Sequence, residues 1–385
     1  MPGLPNRREF IQGVSAAAAA FCLKPSSLLA STRVSTGSVA FAKCASYGAE
    51  AQQTLQTLFD QLGGLQRLVK GKTVAVKLNM TGGAKNLVNG MPIGLTHWVN
   101  PDIIASTVHL LGQAGARRIR LVESTASPAD SLPEFMLQAG WKPNDFLSAA
   151  RGVEFEDTNY AGPTGKYARL RVPGGGLLFK AYDLNHSYED CDVYVSLAKL
   201  KEHATAGVTL SMKNSFGITP ATIYGAGAGI DEPSKAARGS RSSTLHEGSR
   251  QPSKVALPEN DPNSPRDPGY RVPRVVADLA TARPIHLAVI DGISTVAGGE
   301  GPWIRHCRPV HAGLLIAGTN CVSTDAVAAA LMGFDPMADR GTAPFEHCDS
   351  TLKLAEQLGL GTRDLSRIEV IGMPVSKAKV DFRSV

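Results

Sequence analysis

Residues 192–217 read DVYVSLAKLKEHATAGVTLSMKNSFG. An apolar run breaks off into Lys199, Lys201 and His203, and a Thr/Gly-rich loop then leads to Lys213 and Asn214. Val193, Val195, Leu197, Lys199, Lys201 and His203 share one parity, so a fully extended strand sends all six side chains to the same face. That face begins as core and finishes as three basic groups. Burying lysine or histidine without a partner is costly, so the strand end is expected to open into a cleft that receives an anionic group.

Around this strand the chain alternates two hydrophobic patterns. Short apolar segments mark strands at 38–43, 73–79, 118–123, 286–291 and 311–317, with 192–201 among them. Helical spacing marks 49–62, 101–112, 133–139, 273–282 and 323–332, with Pro101 placed where a first helical turn tolerates its missing N–H. Such alternation predicts an α/β fold, a mostly parallel sheet with helices on both faces. The 385 residues are 43% hydrophobic and include 39 glycines, enough apolar material and turn chemistry for a single α/β domain over 38–373. Two stretches depart from the alternation. Residues 153–179, rich in Gly, Pro and Tyr, suggest a flap or antiparallel hairpin. Residues 224–272 are mostly Gly, Ser, Pro and charge, and are expected to form a long mobile insertion near the cleft.

The strands share a second feature. The 73–79 strand ends in Lys77 and Asn79, the 118–123 strand in Glu123, the 192–201 strand in Lys199 and Lys201, and the 286–291 strand in Asp291. Ligands of open parallel sheets bind outside the carboxyl ends of the strands, so these tips are expected to surround one crevice. Glycine-rich turns at Gly82-Gly83 and at Gly298–Pro302 would let backbone N–H groups approach a ligand closely. Asp325 reads as a residue of a helix start. His97 precedes another helix start.

The N-terminus carries Arg7-Arg8, then a mildly apolar segment from Gly13 to Leu23 and small residues near position 30. This is the pattern of a twin-arginine export signal over residues 1–30, which predicts a protein exported already folded and working in the periplasm or outside the cell. No later segment approaches the ~20 apolar residues that span a bilayer, so no stable membrane anchor is expected. Loss of residues 1–30 removes three cations and one anion, which lowers the formal charge from +6 to +4. Without a dense Lys/Arg run, nucleic acid is not an expected partner. None of the six cysteines forms a C-x-x-C pair, so no Cys-ligated iron–sulfur cluster is expected.

The ordered string Lys77-Leu-Asn79, Lys199-Leu-Lys201-Glu-His203, Gly207-Val-Thr209, Lys213-Asn214-Ser-Phe-Gly217, Asp291-Gly292, Gly299-Glu-Gly301-Pro302 and Thr324-Asp325-Ala326 resembles the domain-of-unknown-function 362 family over nearly all of 38–373. The resemblance implies an α/β domain, often joined to ferredoxin-type cluster modules, and no particular reaction. This chain lacks any Cys-rich cluster module.

The residues themselves point to an exported enzyme for a small carboxylate- or phosphate-bearing substrate. Lys77, Asn79, Lys199, Lys201 and Asn214 would bind it. His203, Lys213 and Asp291 would carry the acid/base chemistry, with the lysines stabilising developing negative charge. Asp291 and Glu300 are the candidate oxygen ligands for a divalent metal. The alternatives are a non-catalytic protein that captures or assembles an anionic ligand or cofactor, and a redox-associated protein.

Overall fold

In the computed structural model the described residues are 37–126, 130–228 and 239–383. The expected export signal at 1–30 lies outside them. Twelve strands are present among the described residues: β1 (Val39–Lys43), β2 (Thr73–Lys77), β3 (Arg118–Glu123), β4 (Val153–Asp157), β5 (Ala168–Arg171), β6 (Ala181–Leu184), β7 (Val193–Lys199), β8 (Glu202–His203), β9 (Gly207–Val208), β10 (Leu287–Ala297), β11 (Arg308–Gly318) and β12 (Val370–Ile371). Eight of them form one sheet in the order β12-β1-β11-β10-β7-β2-β3-β4. Strands β4, β3, β2, β7 and β10 pair in parallel, as do β1 and β12, while β11 runs against both β10 and β1. The fold is therefore α/β with a mostly parallel sheet.

Helices cover both faces. On one side lie α1 (Ala49–Gln61), α2 (Pro101–Gln113), α3 (Leu132–Gln138) and α4 (Pro143–Ser148), whose Leu55, Ile104, Phe135 and Phe146 pack with Val76, Val195, Leu197 and Val289. On the other lie α5 (Leu210–Asn214), α6 (Pro268–Ala282), α7 (Cys321–Leu331) and α8 (Thr351–Gln357), whose Met212, Val276, Val327 and Leu352 pack with Ala75, Tyr194, Ala198 and Ile290. Neighbouring residues of β2, β7 and β10 thus enter opposite cores, as the pleat requires. Central strands buried on both faces explain why 192–198 reads as one apolar run.

Element limits differ from the sequence reading where local chemistry is unusual. Helix α6 starts five residues before the expected Pro273, because the Asp267 side chain accepts from Gly269 N–H at 3.0 Å and Pro268 takes the first turn. Pro273 cannot donate to the Gly269 carbonyl, and that carbonyl accepts from Asp349 N–H at 2.8 Å instead. The 153–179 stretch is divided: its first part is the edge strand β4, and β5 joins β6 in an antiparallel hairpin. Of residues 224–272, the described part is tied down at several points. Ser253 N–H donates to Ile223 O at 2.9 Å, Asn260 N–H to Leu178 O at 2.8 Å, and the buried Arg271 pairs with Glu259 at 2.8 Å.

Candidate functional site

The carboxyl ends of β2, β3 and β7, with the turn that follows β10, border a cavity of about 430 Å³. Its floor is set by β2. Lys77 alternates with Val76 and enters the face that carries α5, where its Nζ lies 2.6 Å from Glu123 Oε1 and donates to Leu78 O at 2.7 Å. Glu123 in turn accepts from Met80 N–H and Ser124 N–H, both at 3.0 Å. A buried ion pair persists only when its remaining donors and acceptors are met, and this one is largely enclosed by backbone groups. Gly217 fits against it: a Cβ there would stand 2.8 Å from Lys77 Nζ. Asn79 donates to Asn214 Oδ1 at 3.0 Å, while its own buried Oδ1 has no partner among the described residues.

Helix α5 brings in Lys213 and Asn214. Its start is held by Asp325, a buried residue inside α7 rather than at a helix start, whose carboxylate accepts from Ser211 N–H at 2.8 Å, Ser211 Oγ–H at 2.6 Å and Met212 N–H at 2.9 Å. The N-cap of α7 is Asn320, accepting from Ser323 N–H. Burial pushes the Asp325 carboxyl up to about 7 against those donors. Leu210, the first residue of α5, has φ +45°, a strained conformation for a leucine that the surrounding contacts enforce. Asn214 is fixed by donation to Ser196 Oγ at 3.0 Å. Lys213 Nζ makes no hydrogen bond or ion pair among the described residues and sits 4.2 Å from the centre of the Phe216 ring. Burial pushes it down to about 7, opposed by Glu300 and reinforced by Lys77 and Arg241.

Strand β7 ends at Lys199, and the chain then leaves the sheet. Lys201 is almost fully buried, and its Nζ donates to His97 O at 2.6 Å and Glu300 O at 3.2 Å, with no carboxylate oxygen within ion-pair distance among the described residues. Burial, with Lys213 and Lys199 nearby, lowers it to about 7 despite Glu300. His203 lies on the small β8–β9 hairpin and accepts from Thr205 N–H at 3.2 Å through Nδ1. Burial and the adjacent Lys213 hold its ring well below the usual histidine range, so it is neutral at pH 7. Glu300 accepts from Ala204 N–H at 3.0 Å and Trp303 Nε1–H at 2.9 Å. Burial works against its charge, but His203 and these donors hold it down to about 2.

The remaining wall comes from residues that the sequence reading did not single out. Arg241 donates to Thr219 O at 2.8 Å and to Asn159 Oδ1 at 3.2 Å, and makes no ion pair among the described residues. His246 packs edge-on against Phe216, with burial and Lys213 lowering it to about 3. Trp303 leans over the rim at the Gly82 and Gly301 positions, where any Cβ would strike its ring. Arg241 and His246 sit in a polar loop whose composition gives no register, so no periodicity marks them.

Of the expected site residues, Lys77, Asn79, Lys201, His203, Lys213, Asn214 and Glu300 line this one cavity. Lys199 and Asp291 do not. They are directly opposite one another in the β7–β10 register and form a fully buried pair at 2.7 Å. Both alternate with the residues that face the α5 side, so the pleat sends them to the other core, towards Tyr47 and α2. The shared face expected for Lys199, Lys201 and His203 is lost because extended structure stops at Lys199. Asp291 is also saturated, accepting from Asn100 N–H at 2.9 Å and Ile293 N–H at 3.2 Å. The metal expectation on Asp291 and Glu300 gains no donor set, since the two lie in different environments and no group of three or more His, Cys, Asp or Glu suited to a metal occurs among the described residues. His97 is buried behind Trp303 with its Nε2 unpartnered, and only its carbonyl reaches the site through Lys201.

The fold and the cavity define a class: an α/β protein with a cation-rich cavity at the carboxyl ends of its central parallel strands. The chain belongs to the family described as Domain of unknown function (DUF362), whose model matches residues 74–330. It is 26% identical over 311 residues to the Thylakoid-associated protein sll1697 of Synechocystis sp., an alignment that covers 80% of this chain and 74% of that protein. Among solved structures, a Thermotoga maritima protein matches 68% of this chain at 12% identity with a TM-score of 0.33, and the chain spans about half (52%) of that protein. Among the described residues, no helix is long and apolar enough to cross a membrane. Cys44, Cys191, Cys307, Cys321 and Cys348 are buried free thiols.

Proposed function

We propose that this protein is an exported enzyme that binds a small carboxylate- or phosphate-bearing molecule in the cavity and moves a proton on it. The observation that carries the reading is the pair Lys201 and Lys213, two amines on one 430 Å³ cavity with no carboxylate partner within ion-pair distance among the described residues. Cations without a paired anion in a confined space are costly until an anion arrives, which is the condition for tight and selective anion capture. Arg241 adds a third cation, and Asn79 Oδ1 an unused acceptor for a ligand hydroxyl. His203 is the proton carrier: neutral in the open site, it becomes able to hold a proton once a negative ligand sits beside it.

The test is a panel of small hydroxy acids, oxo acids and phosphate esters examined for both binding and turnover. His203→Gln is expected to keep binding within a few-fold and to lose turnover. Unchanged turnover in that variant would remove the ring from the mechanism. The low proton affinity of both His203 and His246 favours a second reading, capture of an anion without chemistry. A ligand bound by calorimetry and recovered unaltered after long incubation, from every member of the panel, would decide for capture.

Export is part of the same proposal. Arg7-Arg8 and the weakly apolar segment after it support twin-arginine transport of the folded protein, and the relative's description as thylakoid-associated is compatible with work outside the cytoplasm. Replacing Arg7-Arg8 by two lysines in the native host should retain the protein in the cytosol. Equal partition of variant and wild type between fractions would end this reading.

A further inference from the structure

We propose that Lys213 is a nucleophile that forms an imine with a 2-oxo acid whose carboxylate is held by Lys201 and Arg241. This rests on the anion-binding reading above and names the substrate class for it. The choice of lysine follows from what each cation in the cavity already does. Lys77 is committed to Glu123 at 2.6 Å. Lys201 donates to two backbone carbonyls, and an imine there would strip both of their donors. Arg241 is not a nucleophile and is anchored on Thr219 O and Asn159 Oδ1. Lys213 alone among these has an Nζ with no hydrogen-bond partner among the described residues.

Its surroundings suit the chemistry. A lysine attacks a carbonyl only as the free amine, and enzymes obtain that state by placing it against apolar walls beside other cations. Lys213 projects over the Phe216 ring, with His246 packed on that ring, and shares the cavity with Lys201 and Arg241. The backbone beneath it is rigid, because Asp325 pins Ser211 and Met212 while Asn214 is fixed to Ser196. Fixed position is what converts a bound carbonyl into a near-attack one.

The step balances without an outside oxidant. The amine lone pair attacks the oxo carbon, the C–N bond forms, and the carbonyl oxygen departs as water with the two protons that the amine gives up. His203 lines the same cavity and is assigned the passage of one of them. Added cyanoborohydride delivers hydride to the imine carbon and leaves a stable secondary amine.

The full chain would be incubated with pyruvate, glyoxylate or 2-oxoglutarate, with and without cyanoborohydride, and examined by intact mass and peptide mapping. Binding of the same acids, and of lactate as a 2-hydroxy control, would be measured by calorimetry without reductant. The expected result is one reductively trapped adduct per chain, mapped to Lys213, absent with lactate and absent in Lys213→Arg. Peptide mapping of the trapped wild-type protein decides the matter even where the variant does not fold. Binding of a 2-oxo acid with no adduct, or with adducts spread over surface lysines, overturns the imine while leaving anion capture standing. Failure of every oxo and hydroxy acid to bind overturns both.

Discussion

Anion binding to this cavity should be coupled to proton uptake, and the size of the coupling follows from the two amines. Lys201 and Lys213 are each pushed down to about 7. At pH 7 each is then about half protonated, and at pH 9 about 1% protonated. A seated anion restores the charged form and returns each amine towards the ordinary lysine value of about 10.4. Binding at pH 8 of an anion that cannot form an imine should therefore draw in about 0.9 proton for every lysine that it engages, or close to two where both take part. The sign is fixed by the same argument: affinity falls as pH rises, by about fifty-fold between pH 7 and pH 9 for each lysine that must be charged. Glu300 stays ionised throughout at about 2, so it adds no pH dependence in this window. Sulfate and oxalate are suitable probes because neither titrates between pH 6 and pH 9. Calorimetry in buffers of different ionisation enthalpy counts the protons, at constant ionic strength because the pairing is partly screened by salt. A buffer-independent enthalpy, or an affinity flat from pH 7 to pH 9, would refute the claim that these lysines await an anion.

Three further outcomes follow from the same geometry. Asp325→Ala leaves three buried donors at the start of α5 without an acceptor and should cost about 3–5 kcal/mol in denaturant unfolding, with loss of anion binding; a cost below about 1 kcal/mol would deny Asp325 its anchoring role. Gly217→Ala puts a methyl 2.8 Å from Lys77 Nζ, so anion affinity should drop at least tenfold with little change in the far-ultraviolet circular dichroism, and wild-type affinity would show that the floor of the cavity can yield. Lys213→Met removes a confined amine that has no hydrogen-bond or ion-pair partner among the described residues, so at pH 7 it should raise stability by about 1 kcal/mol or more while weakening sulfate binding, and a lower melting temperature would contradict it.

The fold was legible in the sequence because central parallel strands, buried on both sides, leave apolar runs such as 192–198 that no surface element shows. Lys77, Lys201 and Lys213 were legible as interruptions of apolar or small-residue surroundings. Two kinds of information were missing. Parity along a single strand predicts a face only while the strand continues, and β7 stops at Lys199. Lys77 and Lys199 both end strands, yet they enter opposite cores, because the relative phase of two strands depends on a pairing register that the sequence does not state. Arg241 and His246 come from a loop with no period at all, and reach the cavity through backbone contacts such as Arg241 on Thr219 O. Trp303 was hidden for a related reason: a glycine-rich turn announces a close approach without naming what approaches it.

Lys77–Glu123 joins the ends of β2 and β3, whereas Lys199 at the end of β7 meets Asp291 inside β10, which runs on to Ala297 instead of stopping at Asp291 as the sequence suggested. These two pairs, set against two lysines with no carboxylate partner among the described residues, suggest a division of the basic groups into scaffold and binding site. The division can be tested on the Lys199 pair, which is fully buried and outside the cavity lining. Lys199→Met alone strands the Asp291 carboxylate in the core and should destabilise by about 3–5 kcal/mol. The double change Lys199→Met with Asp291→Leu removes the stranded charge and should recover most of that loss, since apolar replacements of buried pairs are often neutral. It cannot recover all of it, because Asn100 N–H and Ile293 N–H lose their acceptor. Anion affinity in the double variant should stay within about threefold of wild type, as expected for a site whose cations are Lys201, Lys213 and Arg241. A tenfold loss of affinity in a double variant that keeps its fold would place Lys199 back among the groups that hold the ligand, and the separation of scaffold from site would fail.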